Sequence, residues 1–253
     1  MATTRPLTRR MFLTDLGRGG IAVAVVSVIG SGRVLAQSPA AMSPPPSIGP
    51  AWSPAGSLAP AAWHRVNLGF VSAYVLVRGG EAAVVDTGVE GSEAAIADSL
   101  AAIGLGWDSV GHVILTHHHP DHAGSASAVL DAAALATGYA GAADIPSITV
   151  SRPLAAVEDG ERVFDMRIIA TPGHTAGHIA VLDEFGGVLV AGDALVTQDG
   201  APAPPPAEFT VDMATAMASI EKLATFDFET LLVGHGDPIE GGASTLVGAL
   251  VQP

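Results

Sequence analysis

Cysteine is absent from all 253 residues. Disulfides, thiolate zinc sites, iron–sulfur clusters and thiol nucleophiles are thereby excluded. Basic residues are scarce, 11 Lys+Arg against 25 Asp+Glu. Five of the 11 are early in the chain: Arg5, Arg9, Arg10, Arg18 and Arg33. Removing these five and Asp15, the one acid among residues 1–36, leaves 6 basic against 24 acidic residues, a net of -18. Such a body repels phosphate backbones, so nucleic acid is not expected as a partner. No apolar run reaches the roughly 18–20 residues of a spanning helix, and the mature chain is expected to be soluble. What is present is an apolar fraction of 49% with 14% charged residues, which excludes a disordered chain. The length allows a sizeable core.

Thr8-Arg9-Arg10-Met11-Phe12-Leu13-Thr14 resembles a twin-arginine export motif. A glycine-broken apolar stretch follows from Ile21 to Ile29, and Val34-Leu35-Ala36 supplies the small residues of a cleavage site before Gln37. Residues 1–36 are therefore expected to be a signal peptide, with the twin-arginine translocase as a transient partner. The expected destination is periplasmic or extracellular, with no membrane partner once the signal is removed. Seven of the 24 residues in 37–60 are Pro, which predicts an extended linker. Residues 61–253 are expected to form the folded unit.

Short β-branched runs predict strands at Val66–Phe70, Tyr74–Val77, Ala82–Val85, Val113–Leu115, Met166–Ala170, Ile179–Leu182, Val188–Val190 and Leu231–Val233. Arg78-Gly79-Gly80 and Gly186-Gly187 predict hairpin turns. Helices are expected from a Ser92 cap to Ile103, over Ala123–Ala134 and over Val211–Ala224. The alternation makes the class α/β with mixed sheets. Acids and histidines stand just past five strand ends, at Asp86, His117, His174, Asp193 and His235. Loops beyond strand ends are where α/β proteins build sites.

Thr116-His117-His118-His119-Pro120-Asp121-His122 holds the pattern His-x-His-x-Asp-His. In an extended segment residues i and i+2 share a side, so His117 and His119 can grip one metal ion while His118 points away. Pro120 stiffens the turn, and Asp121 and His122 then face a second ion. Thr171-Pro172-Gly173-His174, Ala191-Gly192-Asp193 and Gly234-His235-Gly236 add further candidates. With Val85-Asp86-Thr87-Gly88, these motifs from about Trp63 to Ile239 resemble the metallo-β-lactamase superfamily. The resemblance implies a four-layer αβ/βα sandwich of two mixed β-sheets. It implies one metal at His117, His119 and His174, a second at Asp121, His122 and His235, and Asp193 as a bridge. Asp86 would orient the histidine-bearing loop, and His178 would either support the site or play no part in it. Two zinc ions per chain are expected, and imidazole with carboxylate also suits Fe or Mn. His64 and His112 are expected to be structural.

Two such ions can activate a shared water, with Asp121 as the catalytic proton carrier. The expected reaction is hydrolysis of an ester, lactone, thioester or amide in a small molecule. The β-lactamases themselves typically carry Cys or Ser where Asp193 stands. Glyoxalase II carries a basic helical extension, whereas here the sole Lys is Lys222 and 18 residues follow His235. Homoserine-lactone hydrolases carry a Tyr shortly after the bridging Asp, where this chain has Ala194-Leu195-Val196. The scarcity of Arg and Lys points to a neutral or weakly charged apolar substrate. Gln198–Ala207, with four Pro, is expected to wall the cleft. The alternative is an iron-dependent sulfur dioxygenase of the same fold, with one iron at His117, His174 and Asp193.

Overall fold

The computed structural model describes residues 61–252. The expected signal peptide and linker lie outside them. The described residues begin with β1 (Ala62–Asn67), β2 (Ser72–Arg78) and β3 (Glu81–Val85), an antiparallel meander. Helix α1 (Glu93–Ala102) crosses to β4 (Val110–Leu115), which pairs parallel with β3. Helices α2 (Pro120–Ala123) and α3 (Ala126–Ala132) lead to β5 (Thr137–Gly141), and β6 (Ala155–Val157) closes the first sheet. The second sheet opens with β7 (Arg162–Val163), β8 (Met166–Ala170), β9 (Ile179–Asp183) and β10 (Val188–Val190), all antiparallel. A separate hairpin follows, β11 (Val196–Gln198) with β12 (Ala201–Ala203). Helix α4 (Met213–Leu223) then crosses to β13 (Thr230–Leu232), which pairs parallel with β10. Edge strand β14 (Ile239–Glu240) and helix α5 (Ala243–Leu250) end the chain.

Period-2 alternation sorts the strand side chains into layers. On β2, Tyr74 and Leu76 face the second sheet's Met166, Ile168 and Val181. Their neighbours Ala73 and Val75 face the opposite way, against Ile96, Leu100 and Val129 of α1 and α3. On β9, Ala180 and Leu182 pack with Ile220, Leu223 and Val247 of α4 and α5. Two mixed sheets thus share a central core, with helices on both outer faces, as expected for an αβ/βα sandwich. Gly79 and Gly80 turn the β2–β3 hairpin with φ of 62° and 87°, values that a two-residue turn of this hand demands.

The structure departs from the sequence reading at several points. The first strand covers Ala62–Asn67, not 66–70, and Phe70 falls in the following turn. As an edge strand half-open to solvent, it carries too few apolar residues to announce itself. The helix expected over 123–134 breaks into α2 and α3 where Ser125 Oγ leaves the helix to donate to Val89 O at 2.6 Å. Ser92 stands at the N-cap of α1 but makes no capping bond, whereas Asp212 caps α4 by accepting from Thr215 N at 3.1 Å.

A buried ion pair ties the two sheets together. Arg78 at the end of β2 lies 3.1 Å from Asp183 at the end of β9. Trp63 Nε1 donates to the same carboxylate at 3.2 Å, and Arg78 also donates to Phe164 O at 2.7 Å. Removing the cation leaves a buried carboxylate without its partner. Arg78→Ala is expected to destabilise the fold by about 3–5 kcal/mol, measured by urea denaturation. A variant within about 1 kcal/mol of wild type, the worth of an exposed pair, would show that the pair is solvated instead.

Candidate metal centre

The site forms where strand ends from both sheets converge. Past β4, Thr116–His119 runs extended into α2, which carries Asp121 and His122. Past β8, β10 and β13 come His174, Asp193 and His235. Ligand-capable atoms form three groups, each within 4.8 Å: His117, His119 and His174; His117, His122 and Asp193; Asp121, His122 and His235. All seven residues expected from the sequence are therefore brought together, four from the first sheet's loops and three from the second's.

Asp193 reaches both sides of the cluster. Its Oδ1 lies 3.2 Å from His122 Nε2, and its Oδ2 lies 3.4 Å from His174 Nε2 and 3.3 Å from His235 Nε2. Asp121 Oδ2 is 3.2 Å from His235 Nε2. His117 Nε2 is buried with no hydrogen-bond partner, and Asp193 Oδ1, though 3.2 Å from His122 Nε2, makes no well-aligned hydrogen bond. An unpartnered buried nitrogen and a carboxylate oxygen facing one centre suit a cation between them.

Four of the five cluster imidazoles, those of His117, His122, His174 and His235, have one nitrogen engaged by the framework, which turns the other inward. His122 Nδ1 donates to Asp86 at 2.8 Å, and His235 Nδ1 donates to Phe70 O at 2.8 Å. His117 Nδ1 lies 3.0 Å from Thr116 Oγ1, which in turn donates to Asp86 at 2.8 Å. His174 Nδ1 lies 3.3 Å from Thr210 Oγ1. Asp86 also accepts from Thr116 N at 2.7 Å, so it holds the histidine-bearing loop as expected. His178 supports the site: its Nε2 accepts from Asp193 N at 3.0 Å, and its Nδ1 lies 2.7 Å from Thr171 Oγ1. His118 turns away, beside Asp144. His112 contacts Tyr139, away from the cluster.

The electrostatics favour positive charge at the centre. Hydrogen bonds to Asp121 and Asp193 push His235 up to about 10. Burial opposes charge on His122, yet Asp193 and Asp86 outweigh it and raise it well above its usual value. Burial, then the neighbouring His122 and His178, lowers His117 well below its own. Three carboxylates, Asp86, Asp121 and Asp193, thus favour positive charge at His122 and His235.

A cavity of about 500 Å³ opens over the cluster. Its floor holds His119, Asp121, His174, Asp193 and His235, and its walls are Phe70, Pro120, Val196, Pro206 and Phe209. Of the Pro-rich segment expected to wall the cleft, Pro206 lines the cavity while β11 and β12 form a hairpin beside it.

Sequence reading missed Asp144. This buried residue accepts from His118 N at 3.0 Å, Thr175 Oγ1 at 2.6 Å and Gly177 N at 2.7 Å. It thereby joins the loop of His117 and His119 to the loop of His174. A lone acid among small residues gave no signal. Burial would raise its carboxyl, but the bonds from Thr175, His118 and Gly177 prevail and hold it below the usual range. A lowered folded pKa stabilises above the unfolded value and is lost as pH falls through the folded one. The Tm deficit of Asp144→Asn is therefore expected to be largest near about pH 7 and to shrink below about pH 4. Thermal melts at both pH values check this, and a deficit independent of pH would sink it.

Comparison with known proteins agrees with this geometry. The family model described as the metallo-beta-lactamase superfamily matches residues 66–235. The "Probable metallo-hydrolase YflN" of Bacillus subtilis (strain 168) is 44% identical over 109 residues, covering 38% of this chain and 41% of that protein. A hydroxyacylglutathione hydrolase of Acidiphilium cryptum (strain JF-5) is 36% identical over 177 residues, 64% of this chain and 63% of that one. The chain thus matches less than two thirds of the length of either relative. Among solved structures, a metallo-beta-lactamase family protein of Thermus thermophilus aligns with a TM-score of 0.61 at 24% identity, covering 75% of this chain and 77% of that one. The subclass B3 enzyme BJP-1 of Bradyrhizobium japonicum aligns with a TM-score of 0.58 at 21% identity, covering 74% and 87%. By its fold, its convergent histidines and acids, and the family match over most of its described length, this chain belongs to the metallo-beta-lactamase superfamily.

Proposed function

We propose that this chain is an exported, dinuclear metal-dependent hydrolase of an ester, thioester, lactone or amide. The observation that carries the reading is the cluster itself: seven residues with nitrogen or carboxylate donors, five of them on the floor of one cavity, with His117 Nε2 buried beneath and unpartnered. The hydrolase names of the relatives support it. His117, His119 and His174 would hold one ion, and Asp121, His122 and His235 the other, with Asp193 between. Zinc is the expected metal. When bound, such a pair lowers the pKa of a shared water and polarises an acyl oxygen.

The remaining work falls to the chain. Asp86, Thr116, Thr210 and the Phe70 carbonyl fix four of the five imidazoles before any ion arrives, which limits the reorganisation that accompanies binding. Asp121 stands on the cavity floor with its side chain partly open, where it can accept a proton and pass it to a leaving group. The apolar walls limit water around the reacting bond.

Elemental analysis of the chain, purified without chelator, tests the reading. About two zinc per chain, with cleavage in a panel of esters, lactones and thioesters, is the expected result. About one iron per chain with persulfide-dependent oxygen uptake would replace it with the dioxygenase alternative. The complete Asp121, His122 and His235 group argues for the hydrolase. Export is tested separately. Replacing Arg9 and Arg10 together by Lys is expected to hold the protein in the cytoplasm, while wild type is recovered outside it with Gln37 as its N-terminus. Unchanged export of the double variant would refute the twin-arginine route.

A further inference from the structure

The cavity walls carry a chemical preference of their own. None of the ten lining residues is Lys or Arg, and the only charged groups are those of the cluster on the floor. Each of the six cations among the described residues is already engaged. Arg65 is nearest, since it bonds to Gly236 O beside His235, but its other donors hold Asp237 and Ser72. Arg78 is buried against Asp183, and Arg152 caps the carbonyls of Leu130, Ala133 and Ala134. Arg162 and Arg167 face Glu184, and Lys222 holds Asp159. Away from the floor, a carboxylate on the far part of a ligand would meet no lysine or arginine, and would give up hydration without an ion pair in return.

The opposite holds for an apolar group. Phe70 and Phe209 are each 65% exposed, yet both face the cavity. Phe70 also stacks on His235, ring centroids 6.1 Å apart and planes 12° from parallel. Two large exposed aromatic side chains lining one cavity mark a surface that gains by being covered. The cavity volume suits an occupant of small-molecule size.

We propose that the substrate is an uncharged ester or lactone whose apolar acyl chain is covered by the cavity lining that includes Phe70 and Phe209. Phe70 and Phe209 are then specificity-determining residues, and anionic acyl compounds such as glutathione thioesters are poor ligands. The class of bond rests on the hydrolase reading, whereas the preference of the wall does not, and the two are separable by experiment.

The probes are a matched pair of unreactive ketones, hexanophenone and 6-oxo-6-phenylhexanoate, which differ only in a terminal methyl against a carboxylate. Their binding to the full chain, carrying the metal with which it is purified, is measured by ligand-observed NMR titration. Hexanophenone is expected to bind at least about tenfold more tightly than its carboxylate twin. Phe70→Ala and Phe209→Ala are each expected to weaken hexanophenone by about fivefold or more. Phe185→Ala, an equally exposed aromatic at 74% on the distant β9–β10 turn, should leave binding unchanged. Equal or tighter binding of the carboxylate twin, or Phe70 and Phe209 variants that bind like wild type, would overturn the proposal. Cleavage of 4-nitrophenyl hexanoate is scored apart: its absence alongside the expected ketone preference removes the hydrolase reading and leaves the wall's preference standing.

Discussion

Asp193→Asn is expected to lower kcat/KM by about 10³-fold or more, some ~4 kcal/mol of transition-state stabilisation. The substitution keeps the shape of the side chain and changes only what its outer atoms can do. Asp193 presents one oxygen to His122 and the other to His174 and His235, so it reaches the imidazoles of both halves of the cluster. An amide there offers one weak acceptor and one NH₂ that cannot face a cation. On the proposed dinuclear reading, two ions held close together would also lose the negative charge that offsets their repulsion. Metal content is therefore expected to fall from about two ions per chain to about one or fewer. Elemental analysis and steady-state kinetics on the same preparation measure both quantities. A variant with wild-type stoichiometry and rate would remove Asp193 from the reaction.

The second large effect comes from a residue with no side chain. A Cβ on Gly234 would lie 2.3 Å from Asp193 Oδ1 and 2.4 Å from His122 Cε1. The backbone of Gly234 is not left-handed, so the cost of Gly234→Ala is steric alone. It is held on both sides, by its own N–H to Gly192 O at 3.1 Å and by Ser72 N to its carbonyl at 2.9 Å. The side chains must therefore give way, and both belong to the cluster. Displacement of about 1 Å at a reacting centre can cost about 10²-fold, and that is the expected fall in kcat/KM. Overpacking of a single methyl costs about 1–3 kcal/mol, so thermal melts should show a weakened but cooperative fold. Full activity in Gly234→Ala would mean that the cluster tolerates a looser geometry than its contacts imply.

The cluster was legible in the sequence because its chemistry limits the residue types. Few arrangements other than ion binding place His117, His119, Asp121 and His122 within six positions and repeat such residues after three later strands. Several strands that carry them were legible too, since Val113-Ile114, Ile168-Ile169 and the pair Val188 and Val190 are buried and β-branched. What stayed hidden depends on contacts distant in sequence. Strand β5, Thr-Gly-Tyr-Ala-Gly, has poor local propensity and exists through parallel pairing with β4. Asp144 matters only because the chain folds its carboxylate between two loops. Phe70 looked like the end of an apolar strand. It is instead a turn residue whose carbonyl orients His235 and whose ring walls the cavity. Local pattern cannot separate those two roles, since both call for an aromatic after a β-branched run.

The path of the chain between its sheets has one more consequence. Only the exposed residues 158–161 connect β6 to β7. A cut there would yield two fragments, one with His117, His119, Asp121 and His122, the other with His174, Asp193 and His235. Each of the three ligand groups draws members from both fragments, so neither fragment alone retains an intact group. The centre thus exists only where the two halves of the fold meet, so whatever holds the sheets together also holds each ligand group together.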